Sequence, residues 1–266
     1  MINSLDLNEY ISLGHSAGFF GYGKWEHPIY VIGIEEGGCY SEDLIQQKID
    51  RYKFLSFGDD GLFDNLQYQG KLKDPLDVKL PDYSKFFNSS TTKKSGYVPK
   101  VVRMLIEMEG SKLNANEYTA SMFGGRKAHH TLIELFPLPC PKEKNWLYPK
   151  WVDLNRVPFM NKKEDYRKSV IDFRIAKICN KISKSSSPKT IIFFGIGSEK
   201  IDYWNKISPI KVQNYKDIPG LPGIKFHRES KHHLYILSPF PSSHSANGIC
   251  NRNDQMKQLG QLITKL

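Results

Sequence analysis

The chain has 266 residues, 39% hydrophobic, 12% aromatic and 25% charged, which is the composition of an ordinary globular protein and excludes a fibrous or low-complexity one. Lys and Arg number 38 against 28 Asp and Glu, so the net charge is +10, which fits either an anionic partner, with nucleic acid the commonest, or a merely soluble basic surface. No run of about 18 apolar residues occurs and the opening MINSLDLNEY has no apolar stretch of a secretory signal, so a cytoplasmic chain with no membrane partner is expected.

In chain order, the first feature is Gly18-Phe19-Phe20-Gly21-Tyr22-Gly23. It is not read as a dinucleotide fingerprint, because it precedes the first strand instead of following it. Residues 28–34 (PIYVIGI) form a near-continuous apolar run, the pattern of a strand buried on both faces. Directly after it come Gly33-Ile34-Glu35-Glu36-Gly37-Gly38. Two adjacent acids among glycines either serve chemistry at the strand's carboxyl end or complement the dipole of a following helix, whose first turn would hold Glu42 and Asp43. Residues 84–96 (SKFFNSSTTKKSG) are polar and read as a mobile loop, not as a domain linker.

Val101, Val102, Leu105, Ile106 and Met108 make one helical stripe that stops at Gly110, a candidate C-cap. Residues 131–136 (TLIELF) are a second strand. Val170, Ile171, Ile175, Ile178 and Ile182 mark a second helix, and residues 183–188 (SKSSSP) a loop. Strands at 190–194 (TIIFF) and 234–237 (LYIL) follow, and Met256, Leu259, Ile263 and Leu266 mark a final helix. The order predicts an α/β fold over 1–266, with a core from about 26 to 260: one domain, an open and mostly parallel four-stranded sheet flanked by helices.

Four cysteines are present, and the closest pair, Cys140 and Cys179, lies 39 residues apart, so they read as reduced packing residues and not as a metal or cluster site. His129, His130, His232 and His233 form adjacent pairs that a strand would point to opposite faces, which argues against a metal. No cofactor is implied. The last strand leads into Ser238-Pro239-Phe240-Pro241-Ser242-Ser243-His244-Ser245-Ala246, where prolines stiffen the backbone while serines and a histidine offer hydrogen bonds to a phosphate or a base. Alone, this is also readable as a stiff loop.

Together, the glycine–acid turn after the first strand and the Pro-Ser loop after the last resemble the two motifs of the uracil-DNA glycosylase superfamily. Gly33-Ile34-Glu35-Glu36-Gly37 stands where that family has G-Q-D-P-Y, G-I-N-P-G or G-E-A-P-G. Phe240-Pro241-Ser242-Ser243-His244-Ser245-Ala246 matches H-P-S-P-L-S-A at Pro, Ser, Ser and Ala. The resemblance spans about 26–260 and implies a monomeric, monofunctional DNA glycosylase that flips its target base out of the stack, hydrolyses the N-glycosidic bond and leaves an abasic site.

By that resemblance Glu35 orients a water and stabilises the charged sugar, His244 acts as the wedge, and Pro241, Ser242, Ser243 and Ser245 hold the bent phosphates. Phe240 stands where the family has a histidine that bonds the departing base, a role left vacant or filled by His244. Gly37 replaces the tyrosine that blocks bases substituted at C5. Glu134, on the second strand, takes the place of the asparagine that reads uracil, or else it only caps or pairs with a surface cation. A carboxylate suits the exocyclic amine of cytosine better than the O4 acceptor of uracil. A 5-modified cytosine, of the kind carried by phage DNA, is therefore the expected substrate, in a defence setting. Two further readings stay open: a nucleic-acid-binding module that has lost catalysis, and an α/β enzyme acting on free nucleosides or nucleotides.

Overall fold

The computed structural model describes residues 18–35, 61–66, 97–136, 138, 146–229, 233–241 and 253–266. Eight strands join in one mixed sheet: β1 (Gly21–Tyr22), β2 (Ile29–Glu35), β3 (Leu62–Phe63), β4 (His130–Phe136), β5 (Thr190–Phe194), β6 (Lys216–Asp217), β7 (Lys225–Arg228) and β8 (Leu234–Ser238), in the order β3-β1-β4-β2-β5-β8-β7-β6. The helices are α1 (Tyr97–Glu109), α2 (Ala115–Ser121), α3 (Lys163–Ser183), α4 (Ser198–Ile207) and α5 (Asn253–Ile263). Among the described residues no helix is long and apolar enough to cross a membrane.

The four apolar runs are the four central strands. Their amino ends are tied start to start: Ile29 N–H donates to His129 O (3.2 Å), Thr190 N–H to Pro28 O (2.8 Å) and Leu234 N–H to Lys189 O (2.8 Å). They therefore run the same way, and β5 and β8 pair in parallel from Thr190↔Leu234 to Phe194↔Ser238. The expectation of a four-stranded, mostly parallel sheet needs correction at both edges. There β1 runs antiparallel to β4, β7 antiparallel to β8, and β6 antiparallel to β7. These added strands are two to four residues long and carry glycine or charge in place of an apolar run, so no strand periodicity marks them.

The Gly18–Gly23 segment owes a glycine to one of these edges. Gly21 has φ +136° and a Cβ there would lie 1.9 Å from the Leu132 carbonyl oxygen, so only glycine lets β1 pair with β4. The Gly110 C-cap is borne out. It has φ +60°, Ser111 N–H donates to Ile106 O (3.0 Å) and Gly110 N–H to Glu107 O (3.3 Å), the bond pair of a Schellman ending.

The chain divides into two compact units, one formed by 1–22, 32–63 and 132–184, the other by 23–31, 64–131 and 185–266. The first packs α3 through Val170, Ile171, Ile175, Ile178 and Ile182. Beside this stripe stands an aromatic group in which Trp146 stacks on Tyr166 (5.1 Å), and the Tyr166 hydroxyl accepts the Leu138 N–H (3.1 Å). In the second unit, Trp204 of α4 stacks on Phe193 of β5 (4.9 Å) and donates from Nε1 to Gly195 O (2.9 Å), which fixes the exit of that strand.

The second unit also holds two buried polar centres. His130 is wholly buried; Gly124 N–H donates to its Nε2 (2.9 Å), which leaves the proton on Nδ1 to donate to Glu109 Oε1 (2.8 Å). Lys189, 3% exposed, donates from Nζ to the carbonyls of Trp25 (2.9 Å), Glu26 (3.0 Å) and His27 (2.7 Å). Burial lowers its ammonium to about 8, against a weaker upward pull from Glu26. Replacing Lys189 by Met leaves three carbonyls without their donor and is expected to cost about 3 kcal/mol at pH 7 in urea unfolding. From about pH 8 to about 10.5 the unfolded chain keeps a proton on Lys189 that the native one sheds, so wild-type stability rises relative to Lys189→Met across that window. A gap that narrows there refutes the depressed value.

Candidate functional site

Glu35, expected just after the first strand, is instead the last residue of β2, so its backbone is held by the sheet. Of its side chain, and of Gly37, nothing is described. Gly33, one strand repeat earlier, is in contact with a second candidate. A Cβ built on Gly33 would stand 3.1 Å from Glu134 Oε2 and 3.8 Å from its Cδ, so the Glu134 carboxylate lies over the bare Gly33 backbone. The first unit thus brings the base-reading candidate against the strand that ends in the water-activating candidate.

Glu134 is the half-buried position in a strand otherwise buried throughout. Its backbone is pinned on both sides: its N–H donates to Phe20 O (2.9 Å) and its carbonyl accepts from Arg174 Nη2 (2.5 Å). Arg174 also donates from Nε to Leu135 O (2.5 Å) and lies over the Phe20 ring (4.1 Å to the centroid), with no exposure at all. The reason is local. Among the described residues β1 pairs with β4 at Leu132 and Ile133, so the Glu134 carbonyl beyond them needs another donor, and a guanidinium supplies it and the Leu135 carbonyl from one fixed fork. Sequence reasoning missed Arg174. The available signal was its position, three residues past Ile171 and one before Ile175, inside the apolar stripe of α3.

In the second unit, Phe240 follows β8 and is 43% exposed. Its ring stacks flat on Tyr97, with centroids 5.1 Å apart and planes at 6°, and Tyr97 in turn meets Phe194, the last residue of β5, edge on (5.8 Å, 84°). Phe240 is therefore an aromatic ring braced on one face, a geometry that suits stacking on a nucleobase. Pro241, the next residue, is buried. Ser238 O accepts Gly195 N–H (2.8 Å), tying the exits of β5 and β8 together. Ser242, Ser243, His244 and Ser245 lie outside the described residues. Tyr97 was also missed: it precedes the apolar stripe of α1 by one turn, and nothing in the spacing singles it out.

The adjacent histidines of the 129–130 pair do face apart, His129 exposed and His130 buried. Among the described residues no group of three or more His, Cys, Asp or Glu stands together in a way that could hold a metal ion. No protein-family model matches the chain, and no curated protein matches its sequence.

Arg174→Met removes the donors from two strand carbonyls while keeping an apolar stem over Phe20. The expected loss is about 3 kcal/mol in chemical unfolding. A loss below about 1 kcal/mol would mean that water or another group serves the Glu134 and Leu135 carbonyls.

Proposed function

We propose that this protein is a monofunctional DNA glycosylase that removes a 5-modified cytosine. The observation that carries the reading is the contact of Glu134 with Gly33. The acid expected to read the base lies against the strand that ends in the acid expected to orient the attacking water. The braced Phe240 ring and the +10 net charge add a base-stacking surface and a general attraction for phosphates.

In this mechanism the bond between C1′ and the base nitrogen breaks and its electron pair leaves with the base. Positive charge builds on the deoxyribose, where the Glu35 carboxylate stabilises it. A water held by Glu35 adds its oxygen to C1′ and gives up a proton through Glu35 to solvent. The base takes up a proton, and an abasic site remains. Glu134 accepts from the exocyclic amine of cytosine and, when protonated, donates to N3. Phe240, in the second unit, offers a stacking face where the resembled family has a donor.

The test is an alkali-cleavage panel of oligonucleotides carrying uracil, hypoxanthine, mismatched thymine or 5-modified cytosines. Strand breaks at 5-modified cytosine, reduced about 10²–10³-fold in Glu35→Gln with DNA affinity kept, support the reading. No breaks on any substrate, with DNA binding that falls steeply with salt, would make the chain a binding module instead. Turnover of free nucleosides with little salt-sensitive DNA binding would make it a nucleoside enzyme.

Glu134→Asn is expected to shift the ratio of uracil to 5-modified-cytosine cleavage toward uracil by about ten- to a hundredfold, the worth of one bidentate base contact. An unchanged ratio in a variant with native circular dichroism removes Glu134 from base reading.

A further inference from the structure

The second unit contains a cavity of about 460 Å³ at the amino ends of the central strands, where Pro28, Ile29, His129, Lys189, Thr190 and Leu234 meet the carboxyl ends of α1 and α5. A volume of this size is that of a small-ligand site. The cavity shares no residue with the Glu35, Glu134 and Phe240 set, and it lies where the strands begin, not where they end.

Its wall has an uneven distribution of polar groups. Ile29, Leu234 and Ile263 give it an apolar floor, each at most 6% exposed. Glu109 contributes a carboxylate that already accepts the His130 Nδ1–H, so its charge is served from the inner side. The protons of Lys189 are taken up by three carbonyls, but its positive charge remains in the wall. Arg228, the exposed last residue of β7, also lines the cavity, and among the described residues its guanidinium makes no hydrogen bond or ion pair. Exposed His129 stands beside the same space with its side chain likewise unengaged among the described residues. Among the lining side chains, the cations of Lys189 and Arg228 stand against the one carboxylate of Glu109.

We propose that this cavity binds a small organic anion, a carboxylate or a phosphate monoester on an apolar or aromatic body, with the anion on Arg228 and the body against Ile29, Leu234 and Ile263. A planar guanidinium without a protein partner matches either oxyanion with two parallel hydrogen bonds. The proposal does not rest on glycosylase activity.

Calorimetric titration of the full chain with phenyl phosphate, phenylacetate and neutral 2-phenylethanol tests it. One saturable site per chain is expected for at least one of the anions, about tenfold tighter than for the alcohol, and about tenfold weaker in Arg228→Met. Thr264→Trp, an exposed position on the cavity wall, is expected to abolish binding by filling the space. Tighter binding of phenyl phosphate identifies a phosphate monoester as the ligand class, and tighter binding of phenylacetate identifies a carboxylate. Anion binding that ignores both substitutions would be diffuse attraction to the +10 surface and would overturn the proposal. The absence of any saturable binding up to millimolar ligand would do the same.

Discussion

One buried ammonium group orders the start of the sheet. Three successive carbonyls, those of Trp25, Glu26 and His27, turn inward just before β2, where few waters can serve them, and Lys189 Nζ meets all three. The same residue's peptide anchors the next strands. Its N–H donates to His233 Nδ1 (3.1 Å), its carbonyl accepts Leu234 N–H, and its neighbour Thr190 donates to Pro28 O. A lysine suits this task because its three donors diverge from one atom, as the three carbonyls require. The line along which the central strands begin, and hence the edge at which they end, follows from that arrangement.

The parts of the fold that were legible in the sequence are those where burial imposes a continuous pattern. Residues 190–194 (TIIFF) have no polar alternative to a covered strand, and β5 has those bounds. The helix stripes at 101–108 and 170–182 show the same logic with a different period, and both fall inside observed helices. The edge strands were not legible because a two-residue pair such as Lys216–Asp217 has no burial to advertise. α2 was overlooked although its signal is printed in the chain: Asn114 accepts from the N–H of Glu117 (3.0 Å), and Glu117 Oε2 accepts Asn114 N–H (3.0 Å), a reciprocal cap three residues wide.

The candidate site was half legible. Glu134 was singled out by the family resemblance, at the place of a base-reading asparagine, and its neighbour Gly33 by motif; that they touch depends on strand order, which no local pattern states. Arg174 and Tyr97 are of another kind. Each acts by bracing a candidate, Arg174 by holding the Glu134 carbonyl and Tyr97 by backing Phe240, and bracing groups are chosen by geometry that appears only after folding. Had Arg174 been read as a misplaced cation on a buried face, it would have pointed to carbonyls in want of a donor.

On the glycosylase reading, Phe240 stands where the resembled family has a histidine, and this bears on which base the proposed chemistry can release. A departing uracil carries its charge on oxygen and needs a donor there, and a phenyl ring has none to give. A departing cytosine leaves more readily once N3 is protonated, so the help it needs comes from the Watson–Crick edge and not from the O2 side. On that reading Glu134 is the acid that fits this edge: its backbone is fixed on both sides, and its carboxylate rests over a residue with no side chain to displace it. On the glycosylase reading, a phenyl ring where the family has a histidine and a glutamate where it has an asparagine each favour cytosine over uracil.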